Sequence, residues 1–398
     1  MRGWSNTSKV PCGSRNWSDD PAQMTARLEA WLNAFFSEDA RRRFGTGWIS
    51  GVLSIVLGIL ATCSVLAIRF PGFLTLPELR ARYPMEVVRL AIDAGILAAL
   101  LLAALSMILR RKKALGACGI ALAAVALGLG AGGAEVGDAS STSFYVGLDW
   151  FVLGVLTTAT VFVPLERAFP HRSAQGTFRK GWLTDTQYFF MSHASVQLMS
   201  VIVLLPVVSI GEKIAIGAMQ DVVHALPLVL QFVLCVLVAD FAQYWVHRAF
   251  HSNSHLWKFH RVHHSVEQMD WIAGSRLHLV DVIVTRGLVL LPLIVAGFDN
   301  RAVYAYLAFV SVHAVFIHAN FAPRLAVLER WIAMPRYHHW HHARETEAVD
   351  KNFAVHIPIL DRLFGTHYLP AEEWPRAYGI EGLRAPDGYL NQFVWPLR

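Results

Sequence analysis

Long apolar runs constrain this chain more than any other feature of it. A helix rising 1.5 Å per residue needs about 20 apolar residues to cross about 30 Å of hydrocarbon. Runs of roughly that length cover Trp48–Ile68, Val87–Leu109, Leu115–Ala131, Phe144–Leu165, Tyr188–Ile210 and Pro227–Val246. Two further runs, Val280–Gly297 and Ala302–Ala319, are shorter and carry Arg286 and His313. For these two, full crossing and re-entry both stay open. With 55% of its 398 residues hydrophobic and only 16% charged, the chain falls well below the charge content of soluble domains. The expectation is an all-α, multi-pass transmembrane helical bundle.

Charge then orients the bundle. The formal net charge is +6, but the basic residues neither follow one helix face nor interleave with aromatics, which argues against a nucleic-acid partner. They sit at span ends instead. Arg41–Arg43 precede the first span, Arg110–Lys113 follow the second, and Arg167, Arg172, Arg179 and Lys180 follow the fourth, while residues 132–143 hold no Lys or Arg. The positive-inside rule places these clusters, and the N-terminus, in the cytoplasm, with Arg80 and Arg82 as the exception. Arg89, Asp93 and Asp149 are read as interfacial or paired groups.

The N-terminal 44 residues are polar and lack the apolar core of a secretory signal; a short amphipathic helix is expected around Met24–Phe36. The four cysteines, Cys12, Cys63, Cys118 and Cys235, form no C-x-x-C pair and read as unreactive thiols. The expected organisation is a polar segment over 1–44, N-terminal transmembrane helices over 45–143, a catalytic membrane domain over 144–370 and a tail over 371–398.

The texture changes late in the chain, where 15 of the 18 histidines follow position 246. His247 and His251 stand at i and i+4, one above the other on a helix face. His260, His263 and His264 follow at i, i+3 and i+4, and His338, His341 and His342 repeat that spacing. These eight imidazoles exceed what one tetrahedral ion takes and suffice for two metals with open positions. A His-rich tract can be a mere chelating tail, but two copies of His-x-x-His-His beside an i, i+4 pair rarely arise by chance. If Tyr188–Ile210 goes out, Pro227–Val246 returns and 280–319 forms a hairpin, all three boxes meet on the cytoplasmic face as a histidine-rich helical cap.

The succession of boxes resembles the fatty acid hydroxylase and sterol desaturase superfamily over roughly Phe144–Pro370. Glu166–Pro170, Asp350–Phe353 and Leu363–Thr366 add to the likeness. The resemblance implies an integral membrane enzyme with two iron ions that activates O2, takes electrons from a separate electron-transfer protein, and hydroxylates or desaturates a lipid substrate. Carried over, it makes His247, His251, His260, His263, His264, His338, His341 and His342 ligands. It also adds the isolated His278 and His318, with supporting or helix-cap roles as the alternative. Asp281 would orient an imidazole. His313 stays undecided, His339 reads as a neighbour of the ligands, and His255, His356 and His367 read as structural.

Imidazole suits iron, zinc and copper alike. Iron is favoured by the number of ligands and by the lack of His-Glu-x-x-His or Glu-x-x-His signatures. A membrane zinc hydrolase stands as the first rival, since Glu267, Asp270, Glu345 and Glu347 flank the boxes as potential bases. A metal transporter stands second, although it would place ligands near the bilayer midplane. Trp245, Trp257, Trp271, Trp331 and Trp340 read as an interfacial belt or as a seal around the site. A bacterial inner membrane and an endoplasmic reticulum membrane fit equally.

Overall fold

In the computed structural model, residues 21–36, 45–76, 80, 82–138, 145–194 and 200–398 are described. Cys12 and the Arg41–Arg43 cluster lie outside them. Within this set the protein is all-helical, with no strand beyond an isolated bridge between Ala343 and Tyr378.

An N-terminal helix, α1 (Pro21–Phe36), occupies the position expected for the amphipathic segment. The next three helices, α2 (Trp48–Arg69), α3 (Met85–Leu109) and α4 (Ala114–Gly128), pack on one another through Ala61, Val65, Ile96, Ala99, Ala123 and Ala126. Small residues let these backbones approach where lipid supplies no hydrophobic drive. A Cβ at Gly51 would stand 2.7 Å from that of Leu115. The ionisable residues of this bundle are paired: Asp93 accepts from the Gly132 N–H at 2.8 Å and Arg89 donates to the Gly132 carbonyl. Asp149 accepts from the Leu76 N–H at 3.1 Å and the Tyr83 hydroxyl at 2.9 Å. That last pair fastens the start of α5 (Leu148–Ala168) beside the end of α2.

Of the expected span over Tyr188–Ile210, residues 195–199 lie outside the described residues. Helix α6 (Trp182–Ala194) is followed, after residues 195–199, by a wide helical turn at Ser200–Leu204 and then α7 (Leu205–Ile214) and α8 (Gly217–His224). The segment Val201–Ile214 meets α8 at a bend of 108°. Pro206 accounts for the irregular turn, because its ring removes a donor and clashes with the carbonyl one turn earlier. A hydropathy run registers none of this.

The remaining spans follow their apolar runs. Helices α9 (Leu228–Ser252), α11 (Leu279–Ala296) and α12 (Asn300–His318) share a core of Cys235, Ala239, Val289, Leu293, Ala302 and Tyr306. Val203 of the wide turn and Val207 of α7 pack on α11 against Ile283, Leu290 and Ile294. Among the described residues, seven helices are long and apolar enough to cross a membrane, α11 and α12 among them. Two short helices complete the site end of this bundle, α10 (Ser254–His264) and α13 (Pro335–His341). Asn253 caps α10 by accepting from the His255 and Leu256 N–H groups at 2.9 and 3.1 Å.

Candidate metal centre

Helix α9 ends on the first box. One turn separates His247 from His251, so both rings project from one side of its last two turns. The Asn253 cap reverses the chain, and α10 turns His260, His263 and His264 back toward them. Helix α12 brings His318 to the same place at its final residue, and α13 adds His338 and His341, with His342 as its C-terminal cap residue.

Nine histidines meet there in two groups. His247, His251, His260, His264 and His341 form one, His263, His318, His338 and His342 the other, and within each the candidate ligand nitrogens lie within 4.8 Å of one another. The groups adjoin, with the His264 and His342 rings stacked at 4.4 Å between centroids. Eight of the nine residues are buried and His251 is half-buried.

The outer nitrogens explain how the rings are held. His260 Nδ1 donates to Asp281 Oδ2 at 2.7 Å, and the other oxygen of that carboxylate accepts from Thr285 at 3.1 Å. His247 Nδ1 donates to the Phe353 carbonyl and His341 Nδ1 to the Lys351 carbonyl, both at 2.8 Å. His251 Nδ1 lies 3.1 Å from Asp350 Oδ1, His263 Nδ1 3.2 Å from the Arg276 carbonyl, and His318 Nδ1 2.6 Å from the Ala314 carbonyl. An oxygen acceptor at Nδ1 requires the proton there, which leaves Nε2 as a bare lone pair in the neutral ring.

In His247, His251, His260, His263, His318 and His341, the rings with such an acceptor, these lone pairs are turned inward. Nε2 atoms face each other at 3.1 Å for His247 and His260, 3.1 Å for His251 and His264, and 3.3 Å for His263 and His318. Within the second group His338 Nε2 stands 3.1 Å from His318 Nε2 and 3.2 Å from His342 Nε2. The buried His341 Nε2 has no hydrogen-bond partner. Lone pairs gathered this way repel unless a cation lies among them, so the donor set fits metal ions. Protonation is disfavoured too. Burial, reinforced by the neighbouring imidazoles, holds His263, His264, His338, His341 and His342 well below the usual histidine range.

The turn after the third box supplies three of these acceptors, and Asp350 and Asn352 adopt left-handed backbone there, with φ of 56° and 58°. Asn352 pins the turn by donating to the Tyr337 and Tyr368 carbonyls at 3.0 and 2.7 Å and accepting from the Tyr368 N–H at 2.8 Å. Behind it the fully buried Asp361 accepts from the Phe353 and Ala354 N–H groups at 2.8 and 2.7 Å, from Thr366 at 2.6 Å, and from the Tyr337 hydroxyl. Below the second box, Arg179 bridges Asp185 and Asp270 at 2.7 and 2.5 Å, and Arg276 donates to Asp185 at 2.5 Å. Glu166 at the end of α5 accepts from the Trp271 and Asn320 N–H groups at 2.7 and 2.8 Å. Sequence reasoning passed over Asp361, Asp185 and Asp240. Their one signal is an acidic residue inside an otherwise apolar or aromatic stretch.

His278 stands apart from both groups. It is the N-cap of α11, where Nδ1 accepts from the Val280 N–H at 3.1 Å and Nε2 donates to the Phe393 carbonyl at 3.0 Å. Both its nitrogens are thereby occupied, and the helix-cap role is the one the geometry gives it. His339 points away from its neighbours in the box toward the Tyr378 hydroxyl, 2.8 Å off. His313 pairs with His356 at 3.0 Å inside the apolar core. Asp270 is taken by Arg179, Glu267 by Lys180 at 3.2 Å, and Glu345 by the Arg376 N–H at 2.6 Å, so none of these acids joins the groups. Trp257 packs on His251 and His264 at 5.1 and 5.4 Å, whereas Trp245 and Trp331 are exposed.

Comparison with known proteins agrees with this arrangement. A family model described as fatty acid hydroxylase matches residues 232–366. Ornithine lipid hydroxylase of Rhizobium tropici is 26% identical over 251 residues, covering 62% of this chain and 75% of that protein. Human alkylglycerol monooxygenase is 33% identical over 145 residues, 36% of this chain and 32% of its own length. A methylsterol monooxygenase of Arabidopsis thaliana is 25% identical over 183 residues, 44% of this chain and 61% of its own. No solved structure matches the chain. The matched segment runs from α9 through the third box and its supporting turn and contains all nine clustered histidines, so it is over these residues that the chain matches the fatty acid hydroxylase family.

Proposed function

We propose that the protein is a membrane-bound di-iron oxygenase that uses O2 and electrons from a separate protein to hydroxylate a lipid. The observation that carries this reading is the convergence of Nε2 atoms at 3.1–3.3 Å in two adjoining groups made of histidine alone, with the lone pairs of His247 and His260, and of His263 and His318, directly opposed. Under it His247, His251, His260, His264 and His341 hold one iron and His263, His318, His338 and His342 the other, with His278 in support as the cap of α11. Two irons bound there would supply O2 activation and oxidation of an unactivated C–H bond.

The chain's own residues orient and shield. Asp281, Asp350 and the carbonyls of Lys351, Phe353, Arg276 and Ala314 fix the tautomers and raise ligand basicity. Trp257 and Phe353 cover the first group, where Phe353 lies 5.1 Å from the His251 ring, and so keep bulk water from the reacting carbon. Hydroxylation is favoured over desaturation because the relatives are named hydroxylases and monooxygenases. Their differing lipids support a lipid as the substrate class. Hydrolysis is disfavoured because neither group contains a carboxylate.

The reading puts the site on the cytoplasmic side. The Ser106 hydroxyl donates to the Gly47 carbonyl at 2.7 Å, so the start of α2 lies beside the end of α3 and the basic Arg110–Lys113 cluster. Helix α5 starts beside the far end of α2 and finishes at the histidines through Glu166, which sets them on the same face as that cluster. The test is turnover of lipid extracts with an added reductase system. O2-dependent and reductant-dependent gain of one oxygen is expected, falling by at least about 100-fold in His338→Ala while the variant still inserts in membranes. Product formed without O2, or full activity in His338→Ala, would refute the assignment.

A further inference from the structure

Arg286 is a cation in the middle of α11, about 7.5 Å along the helix from Asp281 at 1.5 Å per residue. A charge there is expensive, and such residues face a partner or a cavity. Its place on the helix is interior. The residues one turn before and after it include Ile283 and Leu290, which pack on α7, and Val289, which is buried in the shared core with α9 and α12. Leu288, on the opposite face, is the lipid-facing residue at 49% exposure. Yet Arg286 is itself exposed. An accessible side chain on an inward face means that the helices part beside it.

The packing shows where. Helices α11 and α12 each lie along α9 but hardly touch one another. They share the core at Val289, Leu293, Ala302 and Tyr306, and the same two helices carry Asp281 and His318 to the histidine groups. Tyr306 of α12 is the group near enough to Arg286 to interact with it electrostatically.

Nothing on the protein neutralises this arginine. It makes no hydrogen bond and no ion pair among the described residues. The acids on the neighbouring helices are already engaged. Asp281 is held by His260 and Thr285. Asp240 of α9 accepts from the Val355, His356 and Ile357 N–H groups at 3.1, 3.0 and 2.7 Å. An unpaired charge within a membrane-spanning segment is costly, so the counter-charge has to come from outside the chain.

We propose that the exposed Arg286 binds the anionic end, carboxylate or phosphate, of an amphiphile that lies along α11 and α12, and so selects acidic lipids as substrates. This rests on the oxygenase reading and narrows its substrate class. A guanidinium offers planar, paired donors to either anion and gives nothing comparable to an alcohol or a neutral ester.

The test is calorimetric titration of the full chain in neutral maltoside micelles with laurate, dodecyl phosphate and dodecanol, which share one chain length and differ in the head alone. At about pH 8.5 the acid is ionised. Wild-type protein is expected to bind at least one of the two anions about tenfold more tightly than dodecanol, a difference of about 1.4 kcal/mol. The tighter of the two tells carboxylate from phosphate. Arg286→Gln should erase the preference and Arg286→Lys retain part of it, with dodecanol binding and metal content unchanged in both. Equal binding of all three amphiphiles by the wild type overturns the proposal without needing any variant, as does an undiminished preference in Arg286→Gln. Iron content, measured on the same samples, separates the two claims. Anion preference without iron would sink the oxygenase reading alone, and iron without anion preference would sink only the role of Arg286.

Discussion

Asp281 fixes the orientation of His260 through one hydrogen bond, and that bond is the most economical place to perturb the centre without removing a ligand. Asp281→Asn keeps the shape but takes away the charge that raises the basicity of the imidazole. Loss of such a partner typically lowers metal affinity by about 10–100-fold, readable as the chelator concentration that strips half the metal. Unchanged retention would mean that His260 contributes little. Legibility at this scale follows spacing. The box histidines were readable because helical periodicity alone puts i, i+3 and i+4 on one face. His278 and His318 were both lone histidines, equal in sequence, and were told apart by where their helices point. One opens α11 and caps it, and the other closes α12 with Nε2 facing His263 and His338. Arg286 was noticed as an interruption of an apolar run, while its want of a partner required the neighbouring helices.

At the scale of elements, the turn at Asp350–Phe353 does as much as the helices. It gives acceptors to His247, His251 and His341, and Asp361 holds it from behind with four donors. Asp361→Ala strands those donors at about 1–3 kcal/mol each before relaxation. Thermal unfolding in detergent should therefore come at a clearly lower temperature, and metal affinity should fall with it although no ligand is altered. Loss of stability with metal affinity intact would show that the turn is dispensable to the centre. The boundaries of α2, α3, α11 and α12 were legible to within two residues, whereas α9 runs on past its apolar run, from Val246 to Ser252, through the first histidine box. Hydropathy sums side chains and carries no record of the bend of 108° between Val201–Ile214 and α8.

For the whole molecule, the centre depends on three chain segments arriving together: α9 with α10, the end of α12, and α13. The two groups draw on these segments differently. His263 belongs to one group and His341 to the other, so one substitution in each empties both without touching α9. That the boxes would meet was expected from their spacing and from alternating spans, but their division into groups of five and four was not legible, because it depends on which rings of separate helices face one another. The most direct test is elemental analysis of the detergent-purified chain beside the His263→Ala, His341→Ala double variant. The account predicts about two irons per chain in the native protein and their loss in the double variant. Zinc in place of iron, or iron retained by the double variant, would contradict it.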